Sequence, residues 1–497
     1  MAQDVEGRDR MHDAGPIRSL IPARIDRLRW SPFHTRMIIA LGTAWVLDGI
    51  EITIAGAIGP VLADQATLAL SDTQVGAIAT VYLLGEVFGA LLFGRLSDAL
   101  GRKNLFIVTL AIYLAGNALT ALTWSGDGAG LVFLYLTRFI AGCGIGGEYA
   151  AINSAIDEMM PAKYRGRVDI GVNGTYWGGA IIGTLGTFIL LNHMAINVGW
   201  RIGFLIGPVL GACIWNLRRH LPESPRWLIM HGRADEAEEN IALIERDVQA
   251  SGQQLDPVDE SRAIEIRPGR PHGYLSLLRV LFRQYPSRSV LGATLMITQS
   301  FLYNAIFFTY TLVLTNFYGV PKEKAPLYLI AFAVGNLLGP LALGHLFDVV
   351  GRRKMIAGTY LLSGVLLAVT AVLFNAGVLN AITQTIAWCV IFFFASAGAS
   401  AAYLTVSEIF PLEIRAQAIA VFFAIAQCFG AIGPVFYGHL IGAGDPARLF
   451  VGYLIGAAVM VVGGIVEVVL GVDAEGKSLE DVAAPLSAVT TRPRATG

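Results

Sequence analysis

Four ionisable residues lie deep inside long apolar stretches of this 497-residue chain. Asp48 and Glu51 are three residues apart, which places them on one face of a helix. At about 1.5 Å per residue they lie roughly 16 and 21 Å from the edge of a membrane core, and Arg138 lies at roughly 18 Å. Ionisable groups at that depth are costly and mark functional positions. The spacing therefore predicts two carboxylates facing one guanidinium, and Glu86, at mid-depth of another helix, is a further candidate for proton coupling.

This combination of charges indicates proton exchange. Burial favours the protonated form of a carboxyl group, whereas a neighbouring arginine favours the charged form. A carboxylate whose arginine partner changes with conformation can therefore bind a proton on one side of a membrane and release it on the other. The alternative is a structural ion pair without proton turnover.

Neutral polar and aromatic residues at mid-depth predict a binding site for a small molecule. A few amides in an apolar wall can fix the orientation of a ligand, and aromatic side chains can stack on a ring. Each amide could equally form a hydrogen bond between helices, and ordinary core packing is the alternative for the rings. The candidate substrate-binding residues are Asn173, Trp177, Gln299, Asn304, Asn336, Tyr403 and Gln427.

The elements that must position these residues are membrane-spanning helices. The chain is 55% hydrophobic and 15% charged, with a mean hydropathy of +0.59, whereas a soluble globular protein has roughly 25% charged residues. A membrane core of about 30 Å needs about 20 apolar residues per helix, and backbone polar groups in lipid must be satisfied within the helix. Twelve such runs predict an all-α membrane protein, at residues 37–63, 74–96, 104–124, 130–157, 167–191, 199–218, 289–317, 325–347, 354–375, 381–407, 414–440 and 447–471.

The basic residues indicate the orientation of the chain. If successive connections alternate between two sides, 31 of the 36 lysines and arginines fall on one side, which the positive-inside rule identifies as the cytoplasm. The spacing of Ala237, Ile241, Ile244 and Val248 predicts an amphipathic helix that lies on the membrane domain, with a partner-binding module as the alternative. Residues 1–36 and those after 481 are expected to be disordered. The expected segments are a cytoplasmic N-terminal segment 1–36, a six-helix half 37–218, a cytoplasmic loop with short helices 219–288, a second six-helix half 289–471 and a cytoplasmic tail 472–497.

An internal repeat relates the two halves. The stretch GRLSDALGRK at 94–103 returns as GHLFDVVGRR at 344–353, a shift of 250 residues. Duplication of a six-helix unit explains the constant register, and secondary transporters are built from such repeats, with the substrate site between them near the membrane midplane. Three further residues return at the same shift: Glu158, Pro161 and Arg165 as Glu408, Pro411 and Arg415.

On these motifs the chain resembles transporters of the major facilitator superfamily. GRLSDALGRK is similar to the superfamily signature between helices 2 and 3, and RFIAGCGIGGE is similar to the helix 4 pattern of sugar porters and metabolite:proton symporters. PESPRWL and SEIFPLEIR resemble two further sugar porter signatures, and LDGIE resembles the helix 1 acidic motif of aromatic-acid:proton symporters. The resemblance implies twelve helices in two pseudo-symmetric six-helix halves and transport by alternating access. The glycines of GCGIGGE lie within an apolar span, so they indicate close helix packing rather than a dinucleotide loop.

The resemblance also implies a latch of ion pairs at the cytoplasmic face. Such pairs would hold the two halves together while the site is open to the outside, and basic residues that only set the topology are the alternative. The expected gate residues are Asp98, Arg102, Glu148, Glu158, Arg165, Glu223, Arg226, Asp348, Arg352, Glu408 and Arg415.

These features together predict a secondary active transporter that imports a small polar metabolite, such as a sugar or a small organic acid, with a proton. We expect a monomer in the plasma membrane, specifically a bacterial inner membrane, with both termini in the cytoplasm and no cofactor besides the coupling proton. The net charge of -1 gives no basic field for nucleic acid, and no metal-ligand or catalytic constellation indicates an enzyme. A proton-independent facilitator, an exporter and a non-transporting membrane sensor are the alternatives.

Overall fold

The computed structural model describes residues 17–62, 65–70, 72–125, 128–218, 222–266, 273–320, 325–484 and 486, and it is almost entirely helical. The long segments of the N-terminal half are α1 (Pro32–Ala57), α2 (Asp72–Leu100), α3 (Arg102–Thr120), α4 (Gly128–Met159), α5 (Ala162–Gly174 and Tyr176–His193) and α6 (Ile196–Arg218). Those of the C-terminal half are α7 (Pro286–Tyr318), α8 (Ala325–Leu343), α9 (Arg352–Asn375), α10 (Ala381–Glu408), α11 (Arg415–Gly430 and Ile432–Gly442) and α12 (Pro446–Leu470). Each of them covers one predicted span, and the all-α membrane fold is confirmed.

Hydropathy alone identifies only part of this set. Within the described residues, seven of these helices are long and apolar enough to cross a membrane by length and composition: α1, α3, α4, α8, α9, α10 and α12. Two others, α5 and α11, are each divided into two helices, at Thr175 and Ala431. Some side chains of α2 and α6 lie outside the described residues.

The repeat in the sequence has a structural counterpart in the helix boundaries. α3 begins at Arg102 and α9 begins at Arg352, 250 residues later. Each follows a glycine with positive φ, 91° at Gly101 and 111° at Gly351, in a region of backbone conformation that favours glycine. The duplicated motif therefore sets the sharp turn before both helices.

Glycines bring α4 into close contact with α2. A Cβ atom on Gly142 would collide with the carbonyl oxygen of Tyr82, and one on Gly146 would collide with that of Glu86. Small residues allow such close backbone approach between membrane helices. The predicted packing role of these two glycines is confirmed, and their contact fixes the position of Glu86 relative to α4.

One end of the bundle, here called the loop face, carries residues 222–266 and the C-terminal segment 471–484. A two-stranded antiparallel sheet at this end pairs Ile17–Ser19 with Ile264–Ile266. The other short elements are Ile21–Asp26, Gly59–Leu62, Pro225–Met230, Ala234–Ala250, Tyr274–Arg279, Leu346–Val349 and Leu479–Val482, the 3-10 helices Glu260–Arg262 and Leu412–Ile414, and the π-helix Val280–Gln284.

The helix Ala234–Ala250 confirms the amphipathic pattern, because the four residues that predicted it are buried. The expected disorder of the N-terminal segment is wrong for residues 17–36, which form a strand, a short helix and the start of α1. Arg24 and Arg27 each lie 2.6 Å from an oxygen of Glu245, so basic residues that were interpreted only as topology signals hold this segment on the amphipathic helix. Residues 1–16 and 487–497 lie outside the described residues.

Candidate functional site

A buried ion pair joins α1 to α4. Arg138 Nη1 lies 2.5 Å from Glu51 Oε1, and the two side chains are 1% and 0% exposed. The same nitrogen donates to Asn117 Oδ1 at 2.9 Å. The guanidinium also lies 4.5 Å and 5.1 Å from the ring centroids of Tyr82 and Phe204, and such cation–π contacts stabilise a desolvated cation. The structure thus brings together the acid and the arginine that the sequence placed at one membrane depth.

Asp48 has different partners, although it lies one helical turn from Glu51. Tyr82 Oη donates to Asp48 Oδ1 at 3.2 Å, and Tyr149 Oη donates to Asp48 Oδ2. The prediction of two carboxylates facing one arginine is therefore wrong in detail, because Asp48 faces phenol groups. A hydroxyl can donate to a carboxylate or accept from a carboxylic acid. This setting consequently accommodates Asp48 with or without a proton.

Glu148, predicted to belong to the gate, is buried beside the mid-membrane acids. It precedes Tyr149 in α4 and interacts electrostatically with Asp48. α4 continues to Met159, which puts Glu148 about 16 Å along the helix from its end. Glu148 therefore lies with Asp48 and not in the ion-pair clusters of the loop face, and its assignment to the gate stays a prediction.

A cavity of about 150 Å³ lies between the two halves. Its wall consists of residues from α1, α2, α4 and α5 on one side and from α7, α10 and α11 on the other. The predicted substrate-binding residues in this wall are Asn173, Trp177, Gln299, Asn304, Tyr403 and Gln427.

Asn336 is buried outside the cavity wall, so the structure does not place it with the other predicted binding residues. Its Oδ1 accepts a hydrogen bond of 2.8 Å from the hydroxyl group of Tyr303, which does line the cavity. Asn336 therefore positions a wall residue.

Aromatic residues that the sequence analysis did not select form a large part of the wall. The ring of Tyr149 lies 4.5 Å from that of Trp45 and 4.8 Å from that of Phe423. Elsewhere in the wall, Trp177 lies 5.6 Å from Tyr303. The apolar pattern cannot separate a ring that faces a cavity from one that faces a helix. The feature of the sequence that could have identified these rings is the hydroxyl group of Tyr and the indole N–H of Trp, because each needs a hydrogen-bond partner when it is buried.

Glu86 lies in the cavity wall and bonds across the two halves. Its Oε2 accepts a hydrogen bond of 2.7 Å from Gln427 Nε2, and Ser300 Oγ donates to Gln427 Oε1 at 2.9 Å. This chain of bonds runs from α2 to α11 and α7. Of the mid-membrane acids selected from the sequence, Glu86 is thus the one in the cavity wall.

At the loop face, Glu408 binds one arginine from each half. Arg352 Nε and Nη2 lie 2.6 Å and 2.7 Å from its two oxygens, a bidentate pair within the C-terminal half. Arg165, near the start of α5, lies 3.1 Å from Glu408 Oε1. Asp348, bonded to Arg352 at 3.0 Å, accepts a second inter-half bond of 2.8 Å from the backbone N–H of Arg167. These bonds close the loop face between the halves.

A second cluster at the loop face centres on Arg226, in the PESPRWL motif. Arg226 Nε lies 3.0 Å from Glu480 in the C-terminal segment, and Nη2 lies 3.5 Å from Asp26 in the N-terminal segment. Nη1 donates to the carbonyl oxygen of Glu158 at 2.9 Å. The buried guanidinium therefore ties both terminal segments to the end of α4.

The remaining gate candidates have separate settings. Glu223 Oε2 accepts a hydrogen bond of 3.2 Å from the backbone N–H of Lys103. Arg415 is buried and donates to the carbonyl oxygen of Phe410 at 3.2 Å. The side chains of Asp98 and Arg102 lie outside the described residues.

Comparisons with known proteins agree with this architecture. A family model described as sugar (and other) transporter matches residues 53–485. The chain is 27% identical over 463 residues to the niacin transporter NiaP of Acinetobacter baylyi, which covers 93% of this chain and 99% of that protein. It is also 27% identical over 475 residues to the putative metabolite transport protein YdjK of Escherichia coli, covering 93% and 96% of the two chains.

The solved structures that resemble this fold include the proton:xylose symporter XylE. The structure of XylE bound to 6-bromo-6-deoxy-D-glucose gives a TM-score of 0.75 at 19% identity, over 91% of this chain and 98% of that chain. The inward open conformation of XylE from E. coli gives a TM-score of 0.62 at 17% identity, over 90% and 99% of the two chains.

Proposed function

Because this chain belongs to the sugar (and other) transporter family, we propose that it imports a small polar metabolite together with a proton by alternating access. It is a multi-pass membrane transporter and not an enzyme. In this proposal the loop face and both termini lie in the cytoplasm, because alternation of the predicted spans assigns 31 of the 36 basic residues to that side. In this proposal the protein acts as a monomer in a plasma membrane, for which a bacterial inner membrane is expected, and it needs no cofactor besides the coupling proton.

The buried pair of Glu51 and Arg138 carries the proposal. While Arg138 is bound 2.5 Å away, its positive charge favours the charged form of Glu51. If a movement of α1 against α4 separates the pair, the isolated carboxylate in an apolar environment is unfavourable and binds a proton. Exposure of the separated pair to the outside and re-formation of the pair toward the cytoplasm would carry one proton inward per cycle.

Tyr149 supports a link between the acids and the substrate. Its hydroxyl group binds Asp48 while its ring lines the cavity. α1 itself contributes Trp45 and Ile52 to the wall. A ligand that moves the Tyr149 ring or α1 therefore changes the surroundings of Asp48 and Glu51. Coupling requires such a difference, because a ligand shifts an equilibrium only through its different affinity for two states.

The deciding experiment is uptake by proteoliposomes of a radiolabelled panel of sugars, organic acids and amines, with and without an imposed pH gradient. We expect an acidic exterior to drive accumulation of the substrate. Glu51→Gln should lose this accumulation and keep exchange of substrate down its own gradient. Glu236→Gln is the matched control, because Glu236 is exposed on the helix Ala234–Ala250, and it should behave as wild type.

Three other outcomes of this assay would each contradict the proposal in a different way. Flux that ignores the pH gradient in the wild-type protein would identify a facilitator. Gradient-driven accumulation that survives in Glu51→Gln would remove this residue from proton coupling. Substrate binding without any flux would indicate a membrane sensor.

A further inference from the structure

The described wall of the central cavity contains one carboxyl group, that of Glu86, and no basic side chain. Among the described residues that line it, all except Glu86 are aromatic, amide, hydroxyl or apolar. Arg138 is bound to Glu51 and Asn117 and is not part of the wall. An anionic ligand would therefore enter a site that offers a carboxylate and no counter-charge.

One oxygen of the Glu86 carboxylate has no hydrogen bond to a described residue. Gln427, which is itself held by Ser300, binds Oε2. Oε1 has no hydrogen-bond partner within the described part of the chain, although the residue is only 1% exposed. A buried carboxylate with an unbonded oxygen is unfavourable unless a proton or a cation joins it. The bond from Gln427 fixes the direction in which the second oxygen points.

Aromatic rings from both halves line the same cavity as this carboxylate. The face of an aromatic ring attracts cations, and cages of such rings recognise ammonium ligands. A sugar could also contact the rings and the amides, but it would bring no positive charge to the Glu86 carboxyl group. The aromatic residues of the wall are Trp45, Tyr149, Tyr176, Trp177, Tyr303, Tyr403 and Phe423.

We propose that the substrate is a small organic cation, a protonated or alkylated amine, whose positive charge lies against Glu86 Oε1 and whose body contacts the aromatic wall. This inference rests on the proposed transport function and departs from the sugar or small organic acid expected from the sequence. The cation and the carboxylate together form a neutral pair, so the occupied site buries no net charge.

The test is equilibrium binding to the purified full-length protein, followed by quenching of tryptophan fluorescence, because Trp45 and Trp177 line the cavity. Benzylammonium, benzoate and benzyl alcohol provide a cationic, an anionic and a neutral probe of similar size, and D-xylose represents a sugar. At constant pH and ionic strength we expect the cation to bind about tenfold more tightly than the others, the effect of one charge-assisted contact. Tighter binding of any other probe would overturn the proposal.

Glu86→Gln removes the charge and keeps the shape of the side chain. We expect the cation to bind this variant within about twofold of benzyl alcohol, whose own affinity should not change. Glu467→Gln is the matched control, since Glu467 is a buried acid in α12 that does not line the cavity, and it should keep the cation preference. A preference that persists in Glu86→Gln overturns the proposal. If Glu86→Gln does not fold, the wild-type ranking of the four probes decides.

This result is separable from proton coupling, because binding is measured without a pH gradient. Absence of the cation preference together with gradient-driven uptake would refute the substrate class alone. A cation preference together with flux that ignores the pH gradient would refute the coupling alone.

Discussion

Removal of Arg165 should open the loop face without unfolding the protein. Arg165 binds Glu408 across the two halves at 3.1 Å, while Glu408 keeps its two-bond pair with Arg352 in its own half. In Arg165→Met, Glu408 is therefore not left without a counter-charge. The loss is that of a hydrogen bond between charged groups, about 1.5–3 kcal/mol, rather than the 3–5 kcal/mol expected for a fully broken buried pair.

The contact that is lost stabilises only one conformation of the protein. The Arg165–Glu408 contact exists while the halves are closed at the loop face, so its loss favours the state open on that side. A change of about 1.5–3 kcal/mol corresponds to a shift of roughly 10- to 100-fold in the equilibrium between the two states. The population open at the loop face should therefore rise from minor to substantial.

Distances between spin labels at positions 104 and 354 can measure this shift. Asn104 and Lys354 are exposed, lie near the loop-face ends of α3 and α9 and are related by the 250-residue repeat. In a background without the native cysteines, we expect Arg165→Met to add a longer distance that is rare in wild type. Arg353→Met is the control, because Arg353 bonds to the carbonyl oxygen of Val468 within one half. A wild-type distribution in folded Arg165→Met, or equal opening in Arg353→Met, would refute the reasoning.

Three further predictions concern packing, pH and the cavity wall. Gly179→Leu should give no monodisperse protein in size-exclusion chromatography, because a Cβ on Gly179 meets the carbonyl oxygen of Val46, whereas Gly171→Ala, at an open position, should fold normally. Although burial opposes it, hydrogen bonds from Arg24 and Arg27 hold the pKa of Glu245 below its ordinary value of 4.5. The contribution of Glu245 to docking of the N-terminal segment is therefore present above pH 4.5 and is lost as pH falls through the lowered pKa, which amide exchange of residues 21–26 would report as smaller protection factors in acid. Tyr303→Phe removes the bond to Asn336, and we expect roughly two- to tenfold weaker substrate binding in fluorescence titration, with an unchanged elution profile.

The fold was predictable because each membrane helix can be recognised from its own segment of the sequence. Each needs a long apolar run, and the repeat supplied an independent register, so the predicted spans and the observed helices agree to within about two turns. The break at Ala431 follows Gly430 and lies three residues before Pro434, and the break at Thr175 follows Gly174, so both carried a helix-breaking signal that a search for apolar runs does not use. The ordered segment 17–36 was missed because its stability comes from ion pairs with a helix more than 200 residues away.

The site could be predicted only where depth in the membrane is enough to identify which charged side chains pair with each other. Glu51 and Arg138 carry opposite charges at one depth. Because an unpaired charge is strongly unfavourable when it is buried, the two side chains are expected to pair. Asp48 binds Tyr82 and Tyr149, and nothing in the spacing selects these tyrosines from the other aromatic residues of their helices. The rotation of each helix about its axis is set by packing. This is why Glu86 faces the cavity and Asn336 does not, although both lie at mid-depth.

Comparison of the two repeats also shows that ionisable residues of the N-terminal half correspond to neutral residues of the C-terminal half. At the 250-residue shift Arg138 corresponds to Trp388, and Glu86 corresponds to Asn336. Both C-terminal counterparts are neutral and buried. Because each charge within a membrane is costly, the C-terminal half meets the same packing requirement at these two positions without that cost, and the acids selected for proton coupling lie in the N-terminal half. We therefore expect substitutions at Gln299 or Asn304, in the C-terminal half of the wall, to change which ligand binds while the dependence of uptake on the pH gradient is retained.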